Sequence, residues 1–364
     1  MSFITAIGTA VPESRFSQEA IANFMTKAMN LSRDEGRKLR TIFKASGIDW
    51  RHSVLSDYGK TANFTFYPES FDPFPSTEAR LEVYRKSALA LSVQAISDCI
   101  NDGSFDYQSI THLIVVSCTG MYAPGLDIDL VKHLGLRESI NRLCINFMGC
   151  YAAFNAIKAA HAFCASEQNA RVLVVCTETC SLHFQKEPTE DNLLANALFA
   201  DGAAALLIEG KPRQGFNLRP EAFYNALACN GTEHMAWSIG NQGFEMKLSG
   251  YVPEIIKSGI KSLTEQLLLQ LKKKLTDIKY FAIHPGGKRI LEVIEAQLQL
   301  TTRQNLHAYE VLQNYGNMSS PTVLFVLKRI YGQLADADEG AHMLSFAFGP
   351  GLTMESMLLR ITKA

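Results

Sequence analysis

The chain has no apolar run that approaches the roughly 20 residues needed to cross a bilayer. Its longest, from Cys150 to Ala165, is interrupted by Asn155, Lys158 and His161. Insertion into a membrane is therefore not expected. The opening stretch MSFITAIGTAVPESRF has no basic segment, no long apolar core and no small-residue cleavage site, so a secretory leader is not expected either. Excess charge of one sign is also missing. Lys and Arg total 35 against 36 for Asp and Glu, a formal net charge of −1, which argues against nucleic acid or an anionic membrane as the main partner. Eight cysteines stand at 99, 118, 144, 150, 164, 176, 180 and 229, and no pair has CxxC spacing; the nearest is Cys176 and Cys180. A zinc or dithiol site is not expected, and most of these cysteines read as small buried hydrophobes. The expectation is a soluble, cytoplasmic protein without a bound metal.

What is present is core. Of 364 residues 47% are apolar, enough for two domains or one large duplicated unit. Short β-branched runs read as strands buried on both faces: His112–Ser117, Val172–Cys176 and Ala203–Ile208. Between them lie helical patterns. Leu81, Tyr84, Ala88, Leu91, Ala95 and Cys99 recur three or four apart. Ser17 is placed to cap a helix carrying Ile21, Phe24, Met25 and Met29. Pro253 suits the first turn of a helix bearing Ile256, Ile260, Leu263 and Leu267. The alternation predicts an α/β fold with a largely buried sheet.

The order of elements from 112 to 209 recurs from 279 to 361. HLIVVS is echoed by Lys279–His284, the segment opening at Gly149 by the one opening at Gly316, VLVVC by Met343–Phe348, and AAALLI by Thr353–Leu359. Val115 to Cys150 is 35 residues and Ile283 to Asn317 is 34. An internal duplication is expected, with halves at 1–213 and 214–364. Cys150 and Asn317 then occupy equivalent places, each after a glycine at the start of a helix.

Cys150 opens a helix that is apolar on nearly every side, hence central. Unpaired N–H groups and the positive end of the dipole at such a helix favour a thiolate, and the same N–H groups suit an oxyanion. His284 ends an apolar strand and precedes Pro285-Gly286-Gly287, beyond a strand's carboxyl end where α/β proteins place their ligands. Asn317, before a helix, reads by itself as an N-cap.

Together these residues resemble a known family. Asn146-Phe-Met-Gly-Cys150, Ile283-His-Pro-Gly-Gly-Lys-Arg-Ile290, Asn314-Tyr-Gly-Asn-Met-Ser-Ser320 and Phe348-Gly-Pro-Gly-Leu352, together with Ala197-Leu-Phe-Ala-Asp-Gly202, are similar to blocks of the type III polyketide synthases, the chalcone synthase-like enzymes. The resemblance implies a thiolase-like fold, with duplicated halves layered α-β-α-β-α, and a homodimer. It implies that Cys150 loads an acyl group from a coenzyme A thioester. His284 would hold Cys150 as thiolate and, with Asn317, donate to the malonyl thioester carbonyl during decarboxylation. Repeated condensation and cyclisation would give a pyrone, resorcinol or phloroglucinol, with no cofactor; a carrier protein is not the expected acyl donor.

The same resemblance makes Phe199 and Phe244 gatekeepers between a pantetheine tunnel and the cavity, and Ser319 a cavity serine. The loop Ala347–Gly351, with Gly349, Pro350 and Gly351, would shape the cavity, although it begins with Ala where Gly is usual. Lys38, Arg40 and Lys44 lie in the coenzyme A phosphate region, with Lys38 alone in register. Ala123 replaces a methionine that plant enzymes extend across the dimer, and His183 and Met235 also stand at cavity-shaping positions. Chalcone formation is therefore not implied.

Three other readings compete. A ketoacyl synthase III-like enzyme would make one condensation, but that group carries a different block after its histidine. A thiolase-fold protein that only binds acyl-coenzyme A is the non-catalytic reading. The order Cys…His…Asn, with 134 residues from Cys150 to His284, also resembles papain-like peptidases, whose Cys-Gly-Ser/Ala-Cys block this sequence lacks.

Overall fold

The computed structural model describes residues 1–100, 103, 105–228 and 231–364, and Cys229 lies outside them. The first half runs β1 (Phe3–Ala10), β2 (Arg15–Ser17), α1 (Gln18–Ala28), α2 (Arg33–Ala45), β3 (Trp50–His52), α3 (Thr77–Cys99) and β4 (His112–Ser117). It continues through α4 (Leu126–Leu134), β5 (Asn141–Asn146), α5 (Ala152–Ser166), β6 (Arg171–Thr179), α6 (Glu190–Leu198) and β7 (Asp201–Glu209). The second half runs β8 (Phe216–Leu227), β9 (Met235–Gly240), β10 (Gly243–Leu248), α7 (Val252–Leu269) and β11 (Ile278–Ile283). It ends with α8 (Lys288–Leu298), α9 (Leu306–Tyr315), α10 (Thr322–Tyr331), β12 (His342–Gly349) and β13 (Thr353–Lys363).

Local signals act as read. The Ser17 hydroxyl accepts from Ala20 N and starts α1. Pro253 sits in the first turn of α7, where its missing N–H costs nothing. Tyr84, Ala88, Leu91, Ala95 and Cys99 form the buried face of α3.

The nine-stranded sheet has the order β11-β12-β13-β8-β1-β7-β6-β4-β5. Read outward from the β1–β8 junction, the two halves repeat each other. β4 and β6 are parallel, as are β11 and β12; β6 and β7 are antiparallel, as are β12 and β13; β7 and β1 are antiparallel, as are β13 and β8. The first half adds β5 outside β4. The duplication is therefore a repeat of strand order and direction as well as of sequence.

The layers follow from which faces are apolar. Helix α3 packs on β1, β6 and β7; α5 touches β4, β6 and β7 but also β13; α10 touches β11 but also β1 and β7; α7 covers β8 and β13. Helices α5 and α10 thus lie between the two half-sheets, giving the α-β-α-β-α stack of a thiolase-like fold. Burial explains the position of α10: Val323, Leu324, Val326 and Leu327 are fully enclosed, at about 1.5–3 kcal/mol for each such side chain. One glycine is dictated by this packing. A Cβ on Gly8 of β1 would collide with the backbone of α3 at Ala95 and Cys99.

A candidate active site between the two halves

Each half sends a polar residue into the middle layer. Cys150 lies in a short 3-10 turn, Gly149–Tyr151, that runs directly into α5. Gly149 has φ +74, and a Cβ there would strike Pro350, so the first half's turn is seated against the second half's loop. His284 follows β11 directly, and its N–H donates to Phe346 O at 2.8 Å, which extends the pairing with β12. Asn317 lies between α9 and α10. Its N–H donates to Leu198 O at 2.9 Å and its carbonyl accepts from Ala200 N at 2.9 Å, a bridge to Phe199 of the first half.

Asn317 is not a helix cap. Helix α10 begins at Thr322 with Pro321 at the cap position. The intervening Met-Ser-Ser-Pro segment turns instead through Ser319, at φ +58, whose N–H donates to Asn317 Oδ1 at 2.8 Å. That turn frees the Asn317 amide to face the first half. Its Nδ2 lies 4.0 Å from Cys150 Sγ and 3.3 Å from Gly286 O, and the Cys150 thiol lies 3.9 Å from Asn317 Oδ1. Cys150, His284 and Asn317 are all buried and all line one cavity of about 370 Å³.

Burial controls the charges here. It pushes the Cys150 thiol up to about 11, outweighing hydrogen bonds from Ser319 and Asn317 that favour the thiolate. Burial also lowers His284 to about 3, and neither ring nitrogen has a hydrogen-bond partner. The sequence led us to expect a thiol lowered by its helix terminus. Desolvation outweighs the hydrogen bonds that favour the thiolate, and it holds thiol and imidazole both neutral.

Another part of the cavity lining comes from the β9–β10 hairpin and from His183. His183 Nε2–H donates to Thr119 O at 2.7 Å, and its Nδ1 accepts from Phe244 N at 2.9 Å, which fixes the neutral tautomer. Burial lowers its pKa to about 3. Its ring stacks on Phe244 with centroids 4.3 Å apart. Phe244 therefore stands behind His183 rather than on the cavity face, whereas Phe199, Met235, Ser319 and His183 line the cavity. Sequence reading missed Cys118, Cys180 and Trp237, which also line it. It also missed Glu178, fully buried beside Cys118 and holding hydrogen bonds from Cys118 N, Thr119 Oγ1 and Ser320 Oγ at 2.7–2.9 Å. Burial holds the Glu178 carboxyl above its ordinary pKa despite them. A carboxylate in the otherwise apolar run VLVVCTE was the available signal.

Comparison with known proteins decides what this arrangement is. The sequence profile for chalcone and stilbene synthases, N-terminal domain, matches residues 1–212, and that for the C-terminal domain matches residues 223–362. The chain belongs to the chalcone and stilbene synthase family. An alpha-pyrone synthesis polyketide synthase-like protein of Mycobacterium tuberculosis is 29% identical, over 100% of this chain and 92% of the relative. A probable polyketide synthase of Dictyostelium discoideum is 31% identical over 99% of this chain, which spans 11% of that much longer relative. Among solved structures, a polyketide synthase of the brown alga Ectocarpus siliculosus superposes with TM-score 0.92 at 29% identity, covering 99% of this chain and 98% of the other. The C-terminal type III domain of a type I/III hybrid from Dictyostelium gives TM-score 0.89 at 31% identity, covering 99% of each chain.

As a type III polyketide synthase, the chain is an acyltransferase. Several positions carried over from the family lie off the cavity. Lys38, Arg40 and Lys44 are exposed on α2, and none lines the cavity, although Ile42, Ala45 and Ser46 at the end of that helix do. The basic residues on the lining are Arg51, Lys288 and Arg289; the last two lie in the block Gly-Gly-Lys-Arg quoted for the family resemblance. Pro350 lines the cavity while Gly349 and Gly351 do not. Gly349 serves by leaving room for Tyr151, whose ring a Cβ would meet. Ala123 is exposed at the surface, away from this chain's own cavity. Cys144, on β5, is exposed rather than a core filler. Among the described residues no helix is long and apolar enough to cross a membrane.

Proposed function

We propose that Cys150 is the acyl carrier of a decarboxylative condensation in which His284 and Asn317 stabilise the negative charge. One observation carries this: residues from both halves converge on one cavity, with the Asn317 amide 4.0 Å from the Cys150 sulfur. On loading, the Cys150 proton passes to His284, and the sulfur attacks the thioester carbon of an acyl-coenzyme A. Coenzyme A leaves as its thiol, carrying that proton. The two neutral groups become charged only as the sulfur attacks, when their mutual attraction offsets the desolvation that keeps both neutral at rest.

Malonyl-coenzyme A then enters. Loss of carbon dioxide leaves its electron pair as an acetyl-coenzyme A enolate, whose oxygen accepts from His284 and Asn317. Neither ring nitrogen of His284 is engaged elsewhere, so one is free for this donation once protonated or in the right tautomer. The enolate carbon attacks the acyl–Cys150 carbonyl, the thiolate departs, and a coenzyme A thioester two carbons longer results. Return of that chain to Cys150 allows another round. The scheme uses no metal and no bound redox cofactor.

The cavity walls, Ile21, Met25, Leu194, Leu198 and Met246 among them, suit an aliphatic or aromatic acyl starter. Cyclisation to a pyrone is favoured among the ring classes by the α-pyrone named for the mycobacterial relative. Strand β5 pairs with β4 alone among the described residues, with Leu143 and Cys144 exposed. Such an open edge fits a second copy of the chain, and the functional unit is proposed as a homodimer. The test is incubation with malonyl-coenzyme A and a panel of acyl starters, beside Cys150→Ala. Products extended by two or more malonyl units support the reading. Acylation followed by a single condensation replaces it with the ketoacyl synthase reading.

A further inference from the structure

Two arginines lie buried near the cavity without a carboxylate partner, and one of them connects two site residues. Arg51, on β3, is 3% exposed and forms no ion pair among the described residues, and its Nε and Nη2 have no hydrogen-bond partner. Desolvation lowers its pKa only to about 10, so it stays charged. Burying a cation without an ion pair is unfavourable, and the Phe43 ring, 5.4 Å from the guanidinium, offsets only part of that cost.

Its contacts supply a reason for keeping it there. Nη1 donates to Asn196 O at 2.8 Å and to Phe199 O at 2.7 Å, gripping the end of α6 and the residue after it. Its aliphatic stem lies under Gly316, where Cγ and Cδ stand 3.0 and 3.1 Å from the place a Cβ would occupy. Gly316 precedes Asn317, and the Asn317 backbone is bonded on both sides of Phe199, to Leu198 O and Ala200 N. One side chain therefore clamps the end of α6 with its guanidinium and supports the second-half loop with its stem. Both bonds leave the one nitrogen Nη1, carried at the end of a stem long enough to fill the space beneath Gly316 and still reach the two carbonyls.

We propose that Arg51 is a positioning residue that fixes the Asn317 amide relative to Cys150, and so serves the enolate-forming half-reaction rather than acyl loading. This rests on the role proposed above for Asn317. It adds Arg51 to the specificity and catalytic geometry without any contact between Arg51 and the reacting atoms. The Cys150 turn is seated by a different set of neighbours, Gly149, Pro350 and Tyr151, and its thiol meets Asn317 only at 3.9–4.0 Å, so loading depends less on the clamp than the enolate-forming step does.

The experiment compares Arg51→Lys, which keeps the charge but falls short of the Nη1 position, with Arg51→Met, which keeps only the stem. Cys150 acylation is followed by intact-protein mass spectrometry, and malonyl-coenzyme A decarboxylation by release of acetyl-coenzyme A. We expect kcat for decarboxylation to fall about tenfold or more in both variants, with KM for malonyl-coenzyme A and the acylation rate changed less than about twofold. Amide hydrogen exchange at Ala200 and Asn317 should accelerate in the same proteins, while amides of α5 keep their protection. Exchange is read without turnover, so it tests the clamp even if the chain proves not to decarboxylate malonyl-coenzyme A. Unchanged exchange at Ala200 and Asn317 in Arg51→Met overturns the proposal, as does an equal loss of both half-reactions in folded Arg51→Lys. If Arg51→Met does not fold, Arg51→Lys alone decides between these outcomes.

Discussion

The two halves share a scaffold and differ in what their equivalent positions are bonded to. Cys118 follows β4 as His284 follows β11, and Cys150 precedes α5 as Asn317 precedes α10. In the first half the strand-end residue is engaged: Cys118 Sγ donates to Glu178 Oε1 at 3.3 Å and lies 3.4 Å from Ser319 Oγ. Burial and the nearby Glu178 carboxyl raise its thiol pKa well above the ordinary value. In the second half His284 has both ring nitrogens unpartnered. The two halves thus offer two equivalent places each, and their polar partners differ: Cys118 is bonded to Glu178, whereas His284 is unpartnered and Asn317 turns its amide toward Cys150. The proposed chemistry draws on both halves.

The comparison breaks most severely at Cys150. Cys150→Ala should show no acyl-enzyme and no product above background, measured by intact-protein mass spectrometry and product analysis. Next in size is the contrast between equivalent positions. His284→Ala should lower the decarboxylation rate by about 10²-fold or more, the range for a charge-stabilising or proton-transferring side chain. Cys118→Ala, at the matching place, should stay within about tenfold, since a buried, bonded thiol supplies packing. Similar losses at both positions would undo the distinction.

His183 gives a smaller effect with a definite sign. Its folded pKa, about 3, lies below the unfolded value near 6.5 because burial and the Phe244 N–H exclude a second proton. Stability from its neutral form is present above about pH 6.5 and is lost as pH falls from there toward 3, when the unfolded chain takes up a proton that the folded chain refuses. His183→Gln should flatten that acid loss in urea unfolding followed at pH 7.5 and 5. It should also shift starter preference, because the ring that faces the cavity in front of Phe244 is replaced. An acid slope equal to wild type would show that His183 is protonated in the fold. Smallest is Ala123→Met. Ala123 is exposed here, so the added side chain should shorten the accepted acyl starter only by reaching a partner's cavity, and an unchanged starter profile would remove that role.

How legible was this in the sequence? Strands buried on both faces and capped amphipathic helices were readable, because a run such as VLVVC or the Ser17 cap encodes its state locally. The duplication was readable because each half must repeat the same period to pack on the same central helices. Cys150, His284 and Asn317 were legible as blocks, but their state was not. Asn317 reads as a cap until the Ser319 turn is seen, and the Cys150 thiol reads as acidic until the burial around it is counted. Arg51, Glu178 and the placement of His183 in front of Phe244 depend on contacts between residues tens to well over a hundred positions apart, which no local pattern carries. The cations of α2, of which Lys38 alone is in register with the family motif, are exposed and stand off the cavity lining.

The most direct test of the account is intact-protein mass spectrometry of wild type, Asn317→Ala and Cys150→Ala, each given an acyl-coenzyme A and then malonyl-coenzyme A. The account predicts that wild type gains and then discharges an acyl mass into extended products. Asn317→Ala should gain the acyl mass and keep it, with decarboxylation about 10²-fold slower or worse, and Cys150→Ala should gain none. Acyl mass on Cys150→Ala, or normal discharge by Asn317→Ala, would contradict the division of labour between the two halves.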